Sequence, residues 1–248
     1  MPHIKLSAIS TKAPKELDKD KTKEKTAAII SQLDELQNLL YAESKYSILI
    51  VIQGMDASGK DGVVRNVFGV MNPQGVDVQS FKVPTPLELS HDFLWRVHQH
   101  VPAKGMIQVF NRSHYEDILI TRVHKLIDDK KVFERMKAIN DFEELLTKHN
   151  NTQVLKFYLH ISKEEQDKRL HDRIDDPKKQ WKYNEKDFDE AKFWKQYMSA
   201  YEDCFRYCNT IPWTIVPADN NWYKEYIIAH ALYKKLKSLK MRYPGLKK

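Results

Sequence analysis

The chain has 248 residues, of which 42% are hydrophobic and 11% aromatic, so it is long and apolar enough for a large folded core and is not disordered. A formal net charge of +7 favours anionic partners, and nucleic acid, a membrane surface and a phosphorylated substrate are all compatible with it. The only two cysteines, Cys204 and Cys208, exclude a disulfide-rich scaffold and a cysteine-based zinc site.

The first 21 residues are polar and rich in lysine, which predicts a poorly ordered N-terminal arm. Charged residues interrupt this segment repeatedly, so it does not resemble a signal peptide, and no run approaches the roughly 20 apolar residues that span a bilayer. We therefore expect a soluble, cytoplasmic protein. Apolar residues at helical spacing between positions 22 and 41 then predict an amphipathic helix before the first strand.

Apolar runs alternate with helical stretches along the rest of the chain, which predicts βαβ units around a parallel sheet covered on both faces. The expected strands are residues 46–52, 76–83, 106–110, 153–161 and 213–216. The expected helices are residues 129–149, 163–174, 188–207 and 222–239. Neither a repeat nor a linker divides the sequence, so residues 22–248 are expected to form one domain.

A glycine cluster with the sequence GMDASGKDG follows the first strand at residues 54–62. Gly54, Gly59 and Lys60 satisfy the phosphate-loop pattern G-x-x-x-x-G-K, and residues 62–68 would begin a helix. Backbone N–H groups in such a loop bind anions, and the helix N-terminus adds partial positive charge. The alternative is a glycine turn without a ligand.

Two carboxylates lie in this loop, and Asp61 replaces the Ser or Thr that holds magnesium in an ordinary phosphate loop. Asp56 and Asp61 would repel a phosphate unless a cation lay between them, and magnesium prefers such hard oxygen ligands. They are therefore interpreted as direct or water-mediated magnesium ligands, or as groups that orient an acceptor phosphate. Asp61 could instead cap the helix that follows, and both roles are compatible.

The third strand ends in a polar cluster at residues 111–117, NRSHYED. Ligands of open α/β sheets bind beyond the carboxyl ends of the strands, so this cluster should face the same crevice as the glycine loop. Glu116 and Asp117 are candidates for a magnesium contact, and Arg112 and Arg122 for binding phosphate oxygens. Any one of these charges could also be a solvated loop residue.

A basic segment covers residues 168–182, KRLHDRIDDPKKQWK. Arg169 and Arg173 lie four residues apart and so on one helical face, and Pro177 ends that helix. In phosphoryl-transfer enzymes a mobile segment with arginines closes over the phosphates. The alternative is a surface helix whose charges pair with one another.

The motifs GMDASGKDG, FNRSHYEDIL and RIDDPKKQWKY, followed by PWTIVPADNNWY, resemble the polyphosphate kinase type 2 family, in the family's order. The resemblance covers the chain from about residue 22 to the last helix. It implies a P-loop nucleotide-kinase-like α/β/α sandwich with a five-stranded parallel sheet and a helical lid at about residues 165–190. It also implies magnesium-dependent, reversible transfer of the terminal phosphate of inorganic polyphosphate to a nucleotide.

By position, the resemblance implies catalytic roles for Asp56, Lys60, Asp61, Arg112, Glu116, Asp117 and Arg173, with Asp56, Asp61 and Asp117 at the metal. It implies phosphate or nucleotide binding by Gly54, Ala57, Ser58, Gly59, Gly62, Arg65, Lys82, His114, Arg122 and Arg169. The tetrad HYED is similar to that of members that phosphorylate both AMP and ADP. Partners implied are polyphosphate and AMP, ADP and ATP, without nucleic acid or membrane, in a dimer or tetramer.

Two rival hypotheses remain at this stage. An ATP-dependent nucleoside or nucleotide kinase of the same fold would work without polyphosphate and would favour Ser or Thr at position 61. A non-catalytic polyanion-binding module would bind in a salt-sensitive manner without turnover, even after Lys60→Ala.

Overall fold

A computed structural model describes residues 4–246 of the chain, and the first three residues of the predicted arm lie outside this range. Its centre is a five-stranded sheet in the order β2-β3-β1-β4-β5, with every pairing parallel. The strands are β1 (Ser47–Gly54), β2 (Val76–Ser80), β3 (Ile107–Asn111), β4 (Thr152–His160) and β5 (Trp213–Pro217). The parallel sheet predicted from the sequence is confirmed.

The burial of the middle strand explains why its apolar run could be recognised in the sequence. All eight residues of β1 are buried because β3 and β4 flank it and helices cover both of its faces. A parallel strand in this position has no solvent face, so it forms a continuous apolar run. The edge strand β2 is largely exposed and ends at Ser80, three residues before the end of the predicted strand.

The helices form one layer on each side of the sheet, and α1 packs along α10 on one side while α5, α6 and α9 pack together on the other. They are α1 (Lys19–Glu43), α2 (Lys60–Val63), α3 (Pro86–Leu89), α4 (Trp95–His98), α5 (Glu116–Val123), α6 (Asp129–Asn150), α7 (Lys163–Asp175), α8 (Glu185–Ala191), α9 (Trp194–Tyr207) and α10 (Asn221–Ser238). A π-helical turn at Val64–Phe68 continues α2.

The segment before α1 differs from the expected poorly ordered arm. Leu6 is buried, and its backbone N–H donates to Glu202 Oε1 across 2.9 Å. The Nε2 of the buried His160 lies 3.1 Å from the carbonyl oxygen of Leu6. Helix α1 begins at Lys19, three residues early, because the Asp18 side chain caps it by accepting from the backbone of Lys21. The buried side chain of Leu6 and a few hydrogen bonds therefore hold the segment before α1 in place, although its composition is polar.

The predicted lid region contains α7, a short 3-10 turn at Gln180–Lys182, and α8. Ser162 caps α7 by accepting from the backbone of Glu165 across 3.2 Å, as the spacing predicts. The single helix expected at residues 188–207 is instead two, α8 and α9, separated at residues 192–193. Within residues 4–246, no helix has the length and apolar character needed to cross a membrane.

Candidate active site

The glycine loop connects β1 to α2 through backbone conformations that its residues permit. Gly59 has φ +92°, and an added Cβ would lie 2.2 Å from Lys224 Nζ. At Gly54 a Cβ would lie 2.8 Å from Ser58 Oγ and 2.9 Å from the Leu159 carbonyl oxygen. Ala57 also has positive φ, at 61°. Space and backbone conformation together require glycine at positions 54 and 59, whereas nothing crowds a Cβ at Gly62.

Lys60 curls back over the loop that precedes it. Its Nζ donates to the carbonyl oxygens of Gly54 at 2.8 Å and Met55 at 3.1 Å. Burial, with the nearby positive charge of Arg112, lowers the pKa of Lys60 to about 8. An anion bound in the loop would offset both effects, so the ammonium is suited to a phosphate ligand.

Arg112 lies at the end of β3 and joins two carboxylates. It forms an ion pair with Asp56 from the glycine loop, and its Nη1 lies 3.9 Å from Glu116 Oε2. Its φ of +63° turns the chain sharply from the strand toward α5. Burial would lower the pKa of Arg112, but Asp56 and Glu116 outweigh it and raise the pKa. Burial raises the pKa of Glu116, partly offset by Arg112 and Lys60.

Asp61 links the glycine loop to the lid. Its carboxylate accepts from Asn111 Nδ2 at 2.9 Å and from Lys182 Nζ at 3.2 Å. Burial would raise the pKa of Asp61, but these two hydrogen bonds outweigh it and lower the pKa. Because Lys182 belongs to the turn between α7 and α8, this contact spans the mouth of the crevice.

A crevice of about 760 Å³ opens between the glycine loop and the lid. Among the described residues that line it, eight are Lys or Arg and six are Asp or Glu, so its net charge is positive. The basic residues are Lys60, Arg65, Arg112, Arg169, Arg173, Lys178, Lys179 and Lys182. Such a cavity suits an elongated polyanion.

A smaller cavity of about 250 Å³ adjoins the crevice, and Asp56, Arg112 and Asp187 line both. Its far wall carries Tyr197 and Tyr201, and the Tyr197 hydroxyl donates to Glu190. Burial raises the pKa of Tyr197 and of Tyr201, so both phenols stay protonated. Two cavities of different character therefore meet beside the Asp56–Arg112 ion pair.

The loop carboxylates fit magnesium bound to a phosphate. No cluster of three or more His, Cys, Asp or Glu that could hold a metal occurs within residues 4–246, so the protein offers no complete cage. Magnesium needs only one or two carboxylates when phosphate oxygens supply further ligands. Asp56 and Asp61 both line the larger crevice and meet this requirement.

Asp117 is a correction to the predicted metal set. It lines neither cavity, and its Oδ2 lies 3.5 Å from Arg96 Nη2 while its backbone carbonyl accepts from Arg135. Neighbouring residues on a helix point about 100° apart, so when Glu116 faces the smaller cavity Asp117 turns toward Arg96. Burial raises the pKa of Asp117. The carboxylate of this motif that reaches the site is Glu116.

Three residues predicted to bind phosphate or nucleotide also lie elsewhere. His114 is fully buried, with Nε2 3.3 Å from Glu143 Oε1, in a polar network under the sheet. Arg122 bonds Asp129 at 3.0 Å and Asp203 at 2.7 Å, which ties α5 to α6 and α9. Lys82 follows β2 and lines neither cavity. The charge pattern of the sequence does not reveal these interior partners.

Arg169 and Arg173 do line the crevice, but each is already bonded. Arg173 donates to Asp187 of α8, which holds the two lid helices together. Arg169 donates to Glu165 and to four backbone carbonyl oxygens. The other predicted loop residues, Ala57, Gly59 and Gly62, line the same crevice, Arg65 faces it from the π-helical turn after α2, and Ser58 is buried beneath it.

Sequence reasoning missed several residues around the glycine loop and the two cavities. Five of these are Asn111, Asp187, Tyr197, Tyr201 and Lys224. Asn111 could have been found, because it directly follows a buried strand. The other four lie on helices whose rotation toward the site depends on tertiary packing, so no local signal marks them.

Comparison with known proteins agrees with this geometry. A sequence model of the family described as polyphosphate kinase 2 matches residues 16–244. An AMP/ADP-polyphosphate phosphotransferase of Meiothermus ruber is 47% identical over 223 residues, which cover 89% of this chain and 83% of that protein. An ADP-polyphosphate phosphotransferase of Rhodopseudomonas palustris is 42% identical over 229 residues, covering 87% of this chain and 79% of that protein.

The fold has a match among solved structures. The crystal structure of polyphosphate kinase 2 from Arthrobacter aurescens TC1 superposes with a TM-score of 0.95 at 42% identity, covering 99% of this chain and 89% of that one. The expected P-loop kinase-like fold is confirmed. On sequence and structure together, the chain belongs to the polyphosphate kinase 2 family.

Proposed function

We propose that this protein transfers the terminal phosphate of inorganic polyphosphate to AMP and ADP, reversibly and with magnesium. The observation that carries the proposal is the meeting of a large basic crevice and a smaller tyrosine-lined cavity at Asp56 and Arg112. The names of the relatives from Meiothermus ruber and Rhodopseudomonas palustris support the substrate class.

The two cavities suit different substrates. Polyphosphate is a long polyanion, and the larger crevice offers Arg65 together with the lid lysines Lys178, Lys179 and Lys182. A nucleoside presents an aromatic base and hydroxyl groups, which suit Tyr197 and the polar rim of the smaller cavity. The phosphates of donor and acceptor would then face one another between the glycine loop and Arg112.

Direct in-line transfer requires positioning and neutralisation of charge, without a covalent phosphoenzyme. In the proposed roles, the loop amides and Lys60 hold the transferred phosphate, and Arg112 meets the charge that develops on it. Arg173, with its lid helix, closes the far side of the crevice. An acceptor that is already a phosphate anion needs little help from a base, and no histidine lines either cavity among the residues described.

Asp56 and Asp61 would hold magnesium, with Glu116 nearby. Bound there, magnesium would neutralise the oxygens of the phosphates that the two carboxylates would otherwise repel. The carboxylates themselves position Arg112 and Lys182, so each also shapes the crevice.

The test is incubation of pure protein with polyphosphate, magnesium and either AMP or ADP, followed by chromatography of the nucleotides. ADP and ATP should form, and chelation of magnesium or Lys60→Met should abolish them. Absence of a phosphorylated product with both acceptors would contradict the proposal. Phosphorylation by ATP alone would identify an ATP-dependent kinase, and binding without turnover would identify a polyanion-binding module.

Three further features belong to the same proposal. Residues 22–248 act as one catalytic domain whose lid spans about residues 165–190. The protein works in the cytoplasm, where nucleotides and magnesium are abundant. It assembles as a dimer or tetramer, which would bury exposed apolar side chains such as Val83, Leu87 and Leu89. Sedimentation equilibrium tests the assembly, and a monomer at all concentrations would contradict it.

A further inference from the structure

Every carbonyl oxygen of the glycine loop from Gly54 to Gly59 is bound by a side chain. Lys60 binds the first two carbonyls, those of Gly54 and Met55. Gln166 Nε2 donates to the carbonyl of Asp56 at 3.0 Å. The carbonyls of residues 57–59 are bound by Arg169 and Lys224.

The donors outside the loop come from two helices that contact it. Gln166 and Arg169 lie on α7, and Lys224 lies on α10. Arg169 Nη1 lies 3.1 Å from the Ala57 carbonyl oxygen and 3.2 Å from that of Ser58. Lys224 Nζ lies 3.1 Å from the Ser58 oxygen and 3.4 Å from that of Gly59. Gln166 and Lys224 are completely buried, so neither can reach a ligand in the crevice.

These contacts fix the direction of the amides. In a trans peptide the carbonyl of one residue and the N–H of the next point in opposite directions. The carbonyls of Asp56, Ser58 and Gly59 are held by donors that include the buried Gln166 and Lys224. The N–H groups of Ala57, Gly59 and Lys60 must then point away from these buried side chains. They therefore point toward the crevice, where an anion-binding loop needs them.

We propose that Gln166, Arg169 and Lys224, here called the carbonyl clamp, are positioning residues that preset the glycine loop for phosphate. This inference rests on the proposed function, and it revises the role that the sequence predicted for Arg169. Arg169 was expected to bind phosphate directly, but its three guanidinium nitrogens are occupied by Glu165 and by four carbonyl oxygens, including those of Ala218 and Asp219. It acts on the substrate through the loop.

The clamp also limits which part of the lid can move. Gln166 and Arg169 tie the first turns of α7 to the glycine loop, and Ser162 at its start is tied by its N–H to Asp219 at 2.8 Å. The first two turns of α7 therefore stay bound to the glycine loop when the crevice is empty. The part of the lid that opens begins after Arg169.

The experiment measures binding of tripolyphosphate with magnesium by calorimetry at several salt concentrations. The clamp variants are Gln166→Met, Arg169→Met and Lys224→Met. Arg65→Met removes a residue expected to touch the anion, and Lys168→Met, on the exposed side of α7, is the neutral control. Gln166→Met is the sharpest variant, because it removes no charge and closely preserves volume.

Each clamp variant should raise the Kd for tripolyphosphate about tenfold or more, since a carbonyl released from its donor lets the loop amides turn away. In the clamp variants, the slope of log Kd against log salt concentration should equal that of the parent, because no direct ionic contact with the anion is lost. Arg65→Met should reduce that slope. Arg169→Lys, which keeps the charge but bonds fewer carbonyls, should remain impaired. In turnover assays kcat should fall more than KM rises.

Three results would overturn the inference. The first is that Gln166→Met and Lys224→Met bind tripolyphosphate as tightly as the parent, at a temperature far below their unfolding midpoints. The clamp would then contribute to folding alone and not to phosphate binding. Arg169→Met could reduce the salt slope as Arg65→Met does, which would make Arg169 a phosphate ligand. Full rescue by Arg169→Lys would show that charge alone matters. Because binding is the readout, these results stand even if the parent fails to use polyphosphate.

Discussion

The lowered pKa of Lys60 makes a quantitative prediction about the pH dependence of catalysis. Burial and Arg112 lower the pKa of this lysine from 10.5 to about 8 in the unliganded protein. At pH 7 about nine-tenths of the molecules then carry the ammonium, and at pH 9 only about one-tenth do. If the charged form binds the transferred phosphate, kcat/KM should fall about tenfold across this interval, because kcat/KM reports the free enzyme.

The assay is a series of initial rates at subsaturating polyphosphate and AMP from pH 7.5 to 9.5, where substrate phosphates no longer titrate. Lys60→Arg keeps its charge throughout, so its descending limb should move upward from pH 8. A flat parent profile, or an unchanged limb at pH 8 in Lys60→Arg, would refute the reasoning.

The same shift has the opposite effect on folding. Lys60 has a lower pKa in the folded protein than in the unfolded chain, so between about pH 8 and 10.5 the unfolded state binds the extra proton. Stability contributed by this group therefore rises with pH across that window while activity falls. Denaturant unfolding of the parent and of Lys60→Met at pH 8 and 10 would separate the two effects, because the variant should lack this gain.

Further predictions concern the metal, the core and the lid. Asp56→Asn should lower kcat about a hundredfold and raise the magnesium concentration needed for half-maximal rate. Asp117→Asn should leave that magnesium concentration unchanged, and equal effects of the two substitutions would show that Asp117 belongs to the metal site. Lys156→Met should lower the free energy of unfolding by about 3–5 kcal/mol in denaturant, because it leaves the buried carboxylate of Glu143 without its cation. Adding Glu143→Leu should recover part of this stability, and a larger loss in the double variant would contradict the prediction. Tripolyphosphate should change the fluorescence of Trp181, which is 78% exposed on the lid, and a response that persists unaltered in Trp181→Phe would contradict lid closure.

The sheet and the glycine loop could be predicted because their signals are local. A central parallel strand must be apolar on both faces, and the tight loop after it requires glycine at positions 54 and 59. The parallel orientation of the strands around it follows from alternating strands and helices, whereas their order does not. The expected end of β2 was wrong by three residues, since a solvent-exposed edge strand carries a weak pattern.

Side-chain direction after a strand could not be predicted in the same way. Glu116 and Asp117 are adjacent and alike in charge, and only the rotation of α5 decides which one faces the smaller cavity. His114 belongs to a motif rich in functional residues, yet its partner Glu143 is 29 residues away on another helix. The buried pair of Glu143 and Lys156 shows that charged residues in such a chain also serve the interior.

The carbonyl clamp also determines when the phosphate cradle can exist during synthesis of the chain. The lysine that holds the carbonyl of Ser58 leaves the ribosome 166 residues after it. The middle strand must likewise wait for both of its neighbours, β3 and β4. A truncated or unfinished chain therefore contains the complete phosphate-loop sequence without a working cradle. Capacity to bind the polyanion arises only when α10, which carries Lys224, has been made and docks.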